Sequence, residues 1–391
     1  MSQEHTAPAF DWSAVKDFVD KELAPNANQN DRDECLPADV LERMTDLRLW
    51  GAVLPAAEGG AGIGTVAFGT LHEEISRGDT SVRNLLTVHS MVAASVSRWG
   101  DATQREQWLP DLASGAVKGA FCLTEPQAGS DTSGITAEAR QHNGSWVLNG
   151  HKKWITGAQT ADLFLVFALH NGRQTAFLLP RNTPGVSVVP ITGLLGARAS
   201  MLGEVTMRDA VAGPDALLGP AQFGAAMVMN GALDVGRFSV ASGSVGIAQG
   251  CLDACADYTA KRTVRGRPIR ELQLIRAMLA DMVTETRAAR QLCEHAGRLK
   301  DEFLALLSHE LRTPLGAILV WLGLLRQEES DPSTTTRALE IIERSARALE
   351  RIIEDLLHAS RIAAGGLMLN PQLVDIGGVV HVSVDFASGD A

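Results

Sequence analysis

The sequence predicts a mainly α-helical protein with a central β domain, followed by a two-helix coiled-coil hairpin. Three observations predict it. Apolar residues recur three or four apart from residue 11 to about 115; the spacing changes to two from about 118; helical spacing returns at about 221 and runs to about 363.

In order, FDWSAVKDFVDKEL, LPADVLERMTDLRLWG and TVAFGTLHEEISRGD read as helices, with Gly51 and AEGGAGIG as breaks, giving an N-terminal helical domain over 1–117. KGAFCLT, GITAEARQ, SWVLNGHKKWIT, DLFLVFAL, QTAFLLP, VSVVP and EVTMRDAV read as short strands of a small barrel or sandwich over 118–215, with Asn149-Gly150 expected to turn a hairpin. A long helix follows from Phe223 to Arg262, then a turn around Val264 to Pro268. A second helical run starts at Arg270, so 216–299 would hold the first two helices of a C-terminal bundle. Gly297 is the one weak point of that run, costing about 1 kcal/mol against Ala, and nothing breaks the helix as it enters a hairpin over 300–365. DPST (331–334) separates the hairpin's helices, and 366–391 reads as a linker-like tail.

Composition bounds the function. The chain has 391 residues, 45% hydrophobic and 21% charged, with a formal charge of -11. That acidity excludes a general nucleic-acid surface, which needs clustered Lys and Arg. Five cysteines show no disulfide-like or CxxC spacing. Cys251 and Cys255 share a helix face, but two thiols without a third ligand read as buried structural thiols, and no metal site is expected. The N-terminus lacks the basic and apolar regions of a signal peptide, and LGAILVWLGLL (315–325) falls short of the ~20 residues a bilayer span needs. A reducing, cytoplasmic location is expected. GIGTVA (62–67) fits a dinucleotide-binding pattern, but Pro55 and AAEGG part it from any strand, so it reads as a loop.

Three blocks carry chemistry in the first 300 residues: FCLTEPQAGSD (121–131), HKKWITGA (151–158) and DVGRFSVASGSVGIAQGCLDACADYTAKR (234–262). Their order and spacing, within a helical–β–helical layout, resemble the acyl-CoA dehydrogenases over roughly residues 10–300. The resemblance implies FAD as cofactor and an acyl-CoA or acyl-carrier-protein thioester as substrate, in a dimer or tetramer. It implies that Phe121, Leu123, Thr124, Trp154, Ile155 and Thr156 contact the flavin ring. Arg262 and Gln273 would reach the FAD pyrophosphate and adenine side across a dimer interface. Gly129 and Ser130 would lie against the thioester, and Asp234 and Arg237 against coenzyme A. The family's α-proton base is a Glu placed, in most members, in the last third of the C-terminal bundle, which should follow about residue 300. In a minority it sits one residue before the helix arginine, where this chain has Gly236. No residue is therefore nominated as base, and dehydrogenation is expected to be incomplete.

From about Lys300 the pattern changes allegiance. FLALLSHELRTPLGAI (303–318) and ALEIIERSARALERIIEDLLHASRI resemble the dimerisation and phosphoacceptor hairpin of histidine kinases, over roughly 300–380. Leu304, Leu307, Leu311, Pro314, Ile318, Trp321 and Leu325 form a 3–4 seam that leaves His309 opposite it, with Ile342, Ala346, Leu349, Ile353 and Leu356 as the complementary seam. The resemblance implies His309 as phosphoacceptor, Glu310 as the residue that helps activate it, and a response regulator or a kinase domain in trans as partners. An ATP-binding domain should follow the hairpin, and the remaining residues are too few for one. Three readings stay open: a flavin-dependent oxidoreductase fused to a phosphoacceptor module, both catalytically incomplete; a sensor kinase fragment using the dehydrogenase-like part as sensor; and a chimera joined at a gene or assembly junction.

Overall fold

Aspartate side chains start three of the N-terminal helices in the computed structural model, which describes residues 10–325 and 337–348. α1 (Trp12–Phe18), capped by Asp11, passes through a π-type turn into α2 (Ala24–Asp33) and is followed by α3 (Ala38–Asp46). α4 (Thr65–Gly78) leads to α5 (Thr80–Trp99), capped by Asp79, and α6 (Ala102–Ser114) opens with a capping box between Asp101 and Gln104. Each cap bonds an amide that a helix start leaves without a partner. The glycines of GIGTVA lie in the loop before α4, with Gly64 as its cap residue.

β1 (Gly119–Cys122), β2 (Glu138–His142), β3 (Ser145–Ile155), β4 (Leu163–His170), β5 (Arg173–Pro180), β6 (Val186–Pro190), β7 (Gly203–Ala212) and β8 (Leu217–Leu218) form one eight-stranded sheet in the order β6-β7-β3-β2-β4-β5-β8, with β1 also beside β4. β4 is apolar at nearly every position because both its faces are covered. Phe164, Val166 and Ala168 join a core drawn only from residues 120–216, to which all the long strands contribute, as in a small barrel. Leu163, Leu165 and Phe167 face a second core shared with α5 and α6.

The hairpin expected at Asn149-Gly150 is not there. β3 runs straight through both residues, and the two-residue turns lie at Asn143-Gly144 and Asn171-Gly172, where all four residues have positive φ. Gly150 serves closeness instead: a Cβ there would sit 2.4 Å from the Ala137 Cβ. Asn149 exchanges hydrogen bonds with Asp209 across a bulge between β3 and β7.

α7 (Asn230–Lys261) extends a π-type turn at Gly224–Met229. A hairpin of β9 (Thr263–Val264) and β10 (Arg267–Pro268) then leads to α8 (Gln273–Leu325). Small residues on α7 let α4 touch its backbone: a Cβ at Gly246 would lie 2.0 Å from the Glu73 carbonyl oxygen. Gly297 has the same use on α8, close against Val66 and Phe238. Cys122 is buried, but Cys251 is exposed and Cys255 only half-buried on α7, so the expected pair of buried thiols is corrected. Among the described residues no helix is long and apolar enough to cross a membrane.

Contacts divide the chain into two units, Met1–Asp301 and Glu302–Ala391. In the second, Pro314, Ile318, Trp321 and Leu325 are half-buried while Leu315, Leu319 and Leu322 are exposed, as the seam predicts. Residues 337–348 are helical, but the buried line passes through Ala338, Ile342 and Ser345, and Ala346 is exposed. The seam there slips by one residue onto a small polar side chain. The α8 backbone includes His309 and Glu310, whose side chains lie outside the described residues, as do the seam positions Leu304, Leu307, Leu311, Leu349, Ile353 and Leu356 and the segment DPST.

Gly150→Ala should destabilise the chain by about 1–3 kcal/mol, the usual range for an overpacked core. Equilibrium urea unfolding checks this; an unchanged midpoint would mean that β2 and β3 are not packed this closely.

Candidate functional site

Where β3 leaves the sheet it bulges. The pairing with β7 shifts between Lys152 and Ile155, and Trp154 takes a φ of 61°. A bulky residue holds such a backbone only when its surroundings fix it. The bulge turns Lys152 fully inward, sends Lys153 to Glu204 at 2.9 Å, and leaves the Trp154 indole 50% exposed.

Lys152 meets Glu125, which follows β1. Its Nζ donates to Glu125 Oε1 at 2.7 Å and to the Leu123 carbonyl at 3.0 Å. Glu125 also accepts from the Ala137 amide at 3.0 Å, from the Thr136 amide and hydroxyl at 2.7 and 2.9 Å, and from Gln127 Nε2 at 2.6 Å. Burial alone would raise the Glu125 pKa. The Lys152 ammonium and the Thr136 and Ala137 amides outweigh it and hold the carboxyl down, at about 2. Next in line, the Lys153 amide donates to the Thr124 carbonyl at 2.9 Å. The segment Leu123–Glu125 is thereby fastened to the end of β3.

Between these fastened segments and the helices lies a cavity of about 360 Å³. Phe121, Leu123, Thr124, Gly129 and Ser130 form one wall, Trp154, Ile155 and Thr156 another, and Arg237 of α7 closes the rim. Nine sequence-predicted residues thus come together. Asp234 does not line the cavity; it pairs with Arg237 at 3.5 Å one helical turn away. Arg262, at the end of α7, and Gln273, at the start of α8, are exposed and also lie outside it. Among the described residues, neither the Thr124 nor the Thr156 hydroxyl bonds another side chain or backbone group, so both are available to a ligand. The described lining contains no carboxylate.

Val88 and Met91 of α5, Leu233 of α7 and Thr132 complete the lining and were not foreseen. Leu233 lies four residues before Arg237 on one helix face, a spacing that could have found it. Val88 and Met91 carry no chemical signal; only packing brings them here. The Lys152–Glu125 pair was also unforeseen, although both residues stand inside the quoted blocks.

Residues 12–116, 120–210 and 223–305 match the N-terminal, middle and C-terminal domain models of acyl-CoA dehydrogenase, and residues 299–365 match the His Kinase A (phospho-acceptor) domain. The short-chain specific acyl-CoA dehydrogenase of Bos taurus mitochondria is 38% identical over 292 residues, covering 73% of this chain and 71% of that protein. A glutaryl-CoA dehydrogenase from Mycobacterium smegmatis, solved in complex with FADH2, superposes with a TM-score of 0.71 at 29% identity, over 86% of this chain and 82% of that one. Butyryl-CoA dehydrogenase from Megasphaera elsdenii gives 0.71 at 28% identity, over 88% and 96%.

Lys152→Met should cost about 3–5 kcal/mol, because it strands a buried carboxylate. Glu125 is the group with the depressed pKa, so its contribution is present above its unfolded value of about 4.3 and lost as pH falls toward about 2. The stability gap between the parent and Glu125→Gln should narrow over that window in denaturant unfolding; a gap that widens on acidification would contradict the pairing.

Proposed function

Since the chain belongs to the acyl-CoA dehydrogenase family over residues 12–305, we propose that this part binds FAD and an acyl-CoA or acyl-carrier-protein thioester in the 360 Å³ cavity, and that His309 is a phosphoacceptor. The observation that carries the first half is the gathering of Thr124, Trp154, Ile155 and Thr156 with Gly129, Ser130 and Arg237 in a single space. These residues fit a flavin. An exposed indole held by a bulge offers a flat apolar face, and two unbonded hydroxyls suit the polar edge of the ring. FAD, when bound, supplies hydride-accepting chemistry.

The chain's own residues orient and enclose. Trp154 covers one ring face and Thr124 and Thr156 donate to its edge. Gly129 and Ser130 let the thioester approach backbone, and Arg237, restrained by Asp234, meets the phosphates of coenzyme A. Arg262 and Gln273, exposed at the α7–α8 connection beside the exposed Leu272 and Leu274, act toward FAD in a second copy of the chain. Removal of the α-proton needs a base within hydrogen-bond reach, and the described lining supplies no carboxylate. The dehydrogenase half therefore binds both ligands without completing α,β-dehydrogenation.

The purified chain should show a flavin spectrum that butyryl-CoA perturbs without bleaching. Anaerobic bleaching by the thioester would overturn the incomplete reading, and a colourless protein that takes up no added FAD would overturn the flavin site. Trp154→Ala should weaken FAD retention about tenfold, from the loss of roughly 1.4 kcal/mol of stacking.

The His Kinase A match favours a signalling role for residues 299–365. With ATP and an added kinase ATP-binding domain, the γ-phosphoryl group should move to the His309 imidazole and ADP should leave. Label that persists in His309→Ala would remove His309 from that role. The overlap of the two family models at 299–305 also suits a junction between two genes. Sequencing genomic DNA across codons 295–305 tests that directly: an uninterrupted reading frame supports a genuine fusion, and its absence a chimera.

A further inference from the structure

The interface of α4, α5 and α7 holds a polar cluster that the cavity does not use. Ser239 Oγ lies 2.9 Å from His72 Nδ1 and 2.5 Å from Thr87 Oγ1. Arg83 Nη2 and Ser76 Oγ both donate to Thr80 Oγ1, each at 3.2 Å. The cluster is deep: His72 and Ser239 are fully buried, and Arg83 is only 6% exposed.

Arg83 is the anomaly. A guanidinium stays charged inside a protein, yet no described carboxylate lies within ion-pair distance of it. Its Nε and Nη1 have no hydrogen-bond partner, nor does the neighbouring His72 Nε2. The fold makes room for the group rather than neutralising it. Gly243 of α7 sits where a Cβ would come within 2.8 Å of Arg83 Nε, and Gly69 of α4 sits 2.9 Å, by the same measure, from Ser242 Oγ. His72 cannot share the charge: burial, reinforced by Arg83, keeps its ring neutral with a pKa of about 3.

We propose that Arg83 binds a small monovalent inorganic anion of halide type between α4, α5 and α7, with Arg83 Nε and Nη1 as donors. Water would satisfy the donors and leave the charge, whereas an anion answers both. The close backbone approach of α4 to α7 excludes large anions. Such an ion would tie α5, which carries Val88 and Met91 of the cavity, to α7, which carries Leu233 and Arg237.

The test uses the full chain, melted in sodium bromide and in sodium gluconate at equal ionic strength, with crystals grown in bromide for anomalous diffraction. Bromide should raise the melting temperature saturably, by about 2–4 °C, and give an anomalous peak within hydrogen-bond distance of the Arg83 guanidinium. Arg83→Met should melt at the same temperature in both salts. Should that variant not fold, the parent's bromide response and peak decide the matter alone. Equal melting of the parent in both salts, or density at Arg83 without anomalous signal, would leave an internally hydrated arginine only and overturn the proposal.

Discussion

One ion pair, Lys152 with Glu125, holds the cavity together. Its two segments lie on different strands' ends: β1 has ended before Leu123, and the β3 ladder loses its register just after Lys152, at the Trp154 bulge. Desolvating two charges costs several kcal/mol per ion unless further hydrogen bonds complete their shells, and here they do. Glu125 takes five hydrogen bonds counting Lys152, and Lys152 spends a second proton on the Leu123 carbonyl. The pair therefore specifies a geometry. Apolar packing could bury the same area, but it would not dictate which carbonyl faces which strand.

That geometry explains how much of the site was legible. FCLTEPQAGSD and HKKWITGA hold most of the lining residues, and it was the family resemblance of these blocks that foretold their meeting in one space. What could not be read was orientation. Lys152, Lys153 and Trp154 are consecutive, yet one points into the core, one to Glu204 and one to the mouth, because the bulge breaks the alternation that a strand would impose. The hairpin assignment failed for a related reason. Asn-Gly occurs at 143–144, 149–150, 171–172 and, at the start of α7, 230–231, and the dipeptide alone does not say whether glycine is wanted for positive φ or for a missing Cβ. At Gly150 it is the missing Cβ, a fact about Ala137, the residue just before β2.

The junction has a physical address too. The start of α8 is gripped by the first unit: Arg290 bonds Glu73 and Gln249, and Gly297 packs against Val66 and Phe238. The glycine that looked like the helix's weak point is one of its close contacts there. That unit ends at Asp301, within the stretch where the two family models overlap. Sequence pattern placed the change near Lys300 because apolar spacing passes smoothly from one amphipathic helix to the next. It could not show that the compact first unit ends at the same point.

Lys152 and Arg83 are the same problem met twice. Each is a cation removed from water, one at the end of the strand that lines the cavity and one on α5, the helix that also lines it. Lys152 has a carboxylate and a carbonyl at hand; Arg83 has hydroxyls and a neutral imidazole. A lysine could in principle escape by losing its proton, but an arginine cannot, so the helical wall needs negative charge from outside the described chain. The sheet wall is thus set by covalent sequence alone, and the helical wall by the composition of the solution as well. The two walls of one cavity then differ in what they depend on, and any ligand that needs both to be in place would sense the ionic environment through α5 and α7 rather than through β1 and β3.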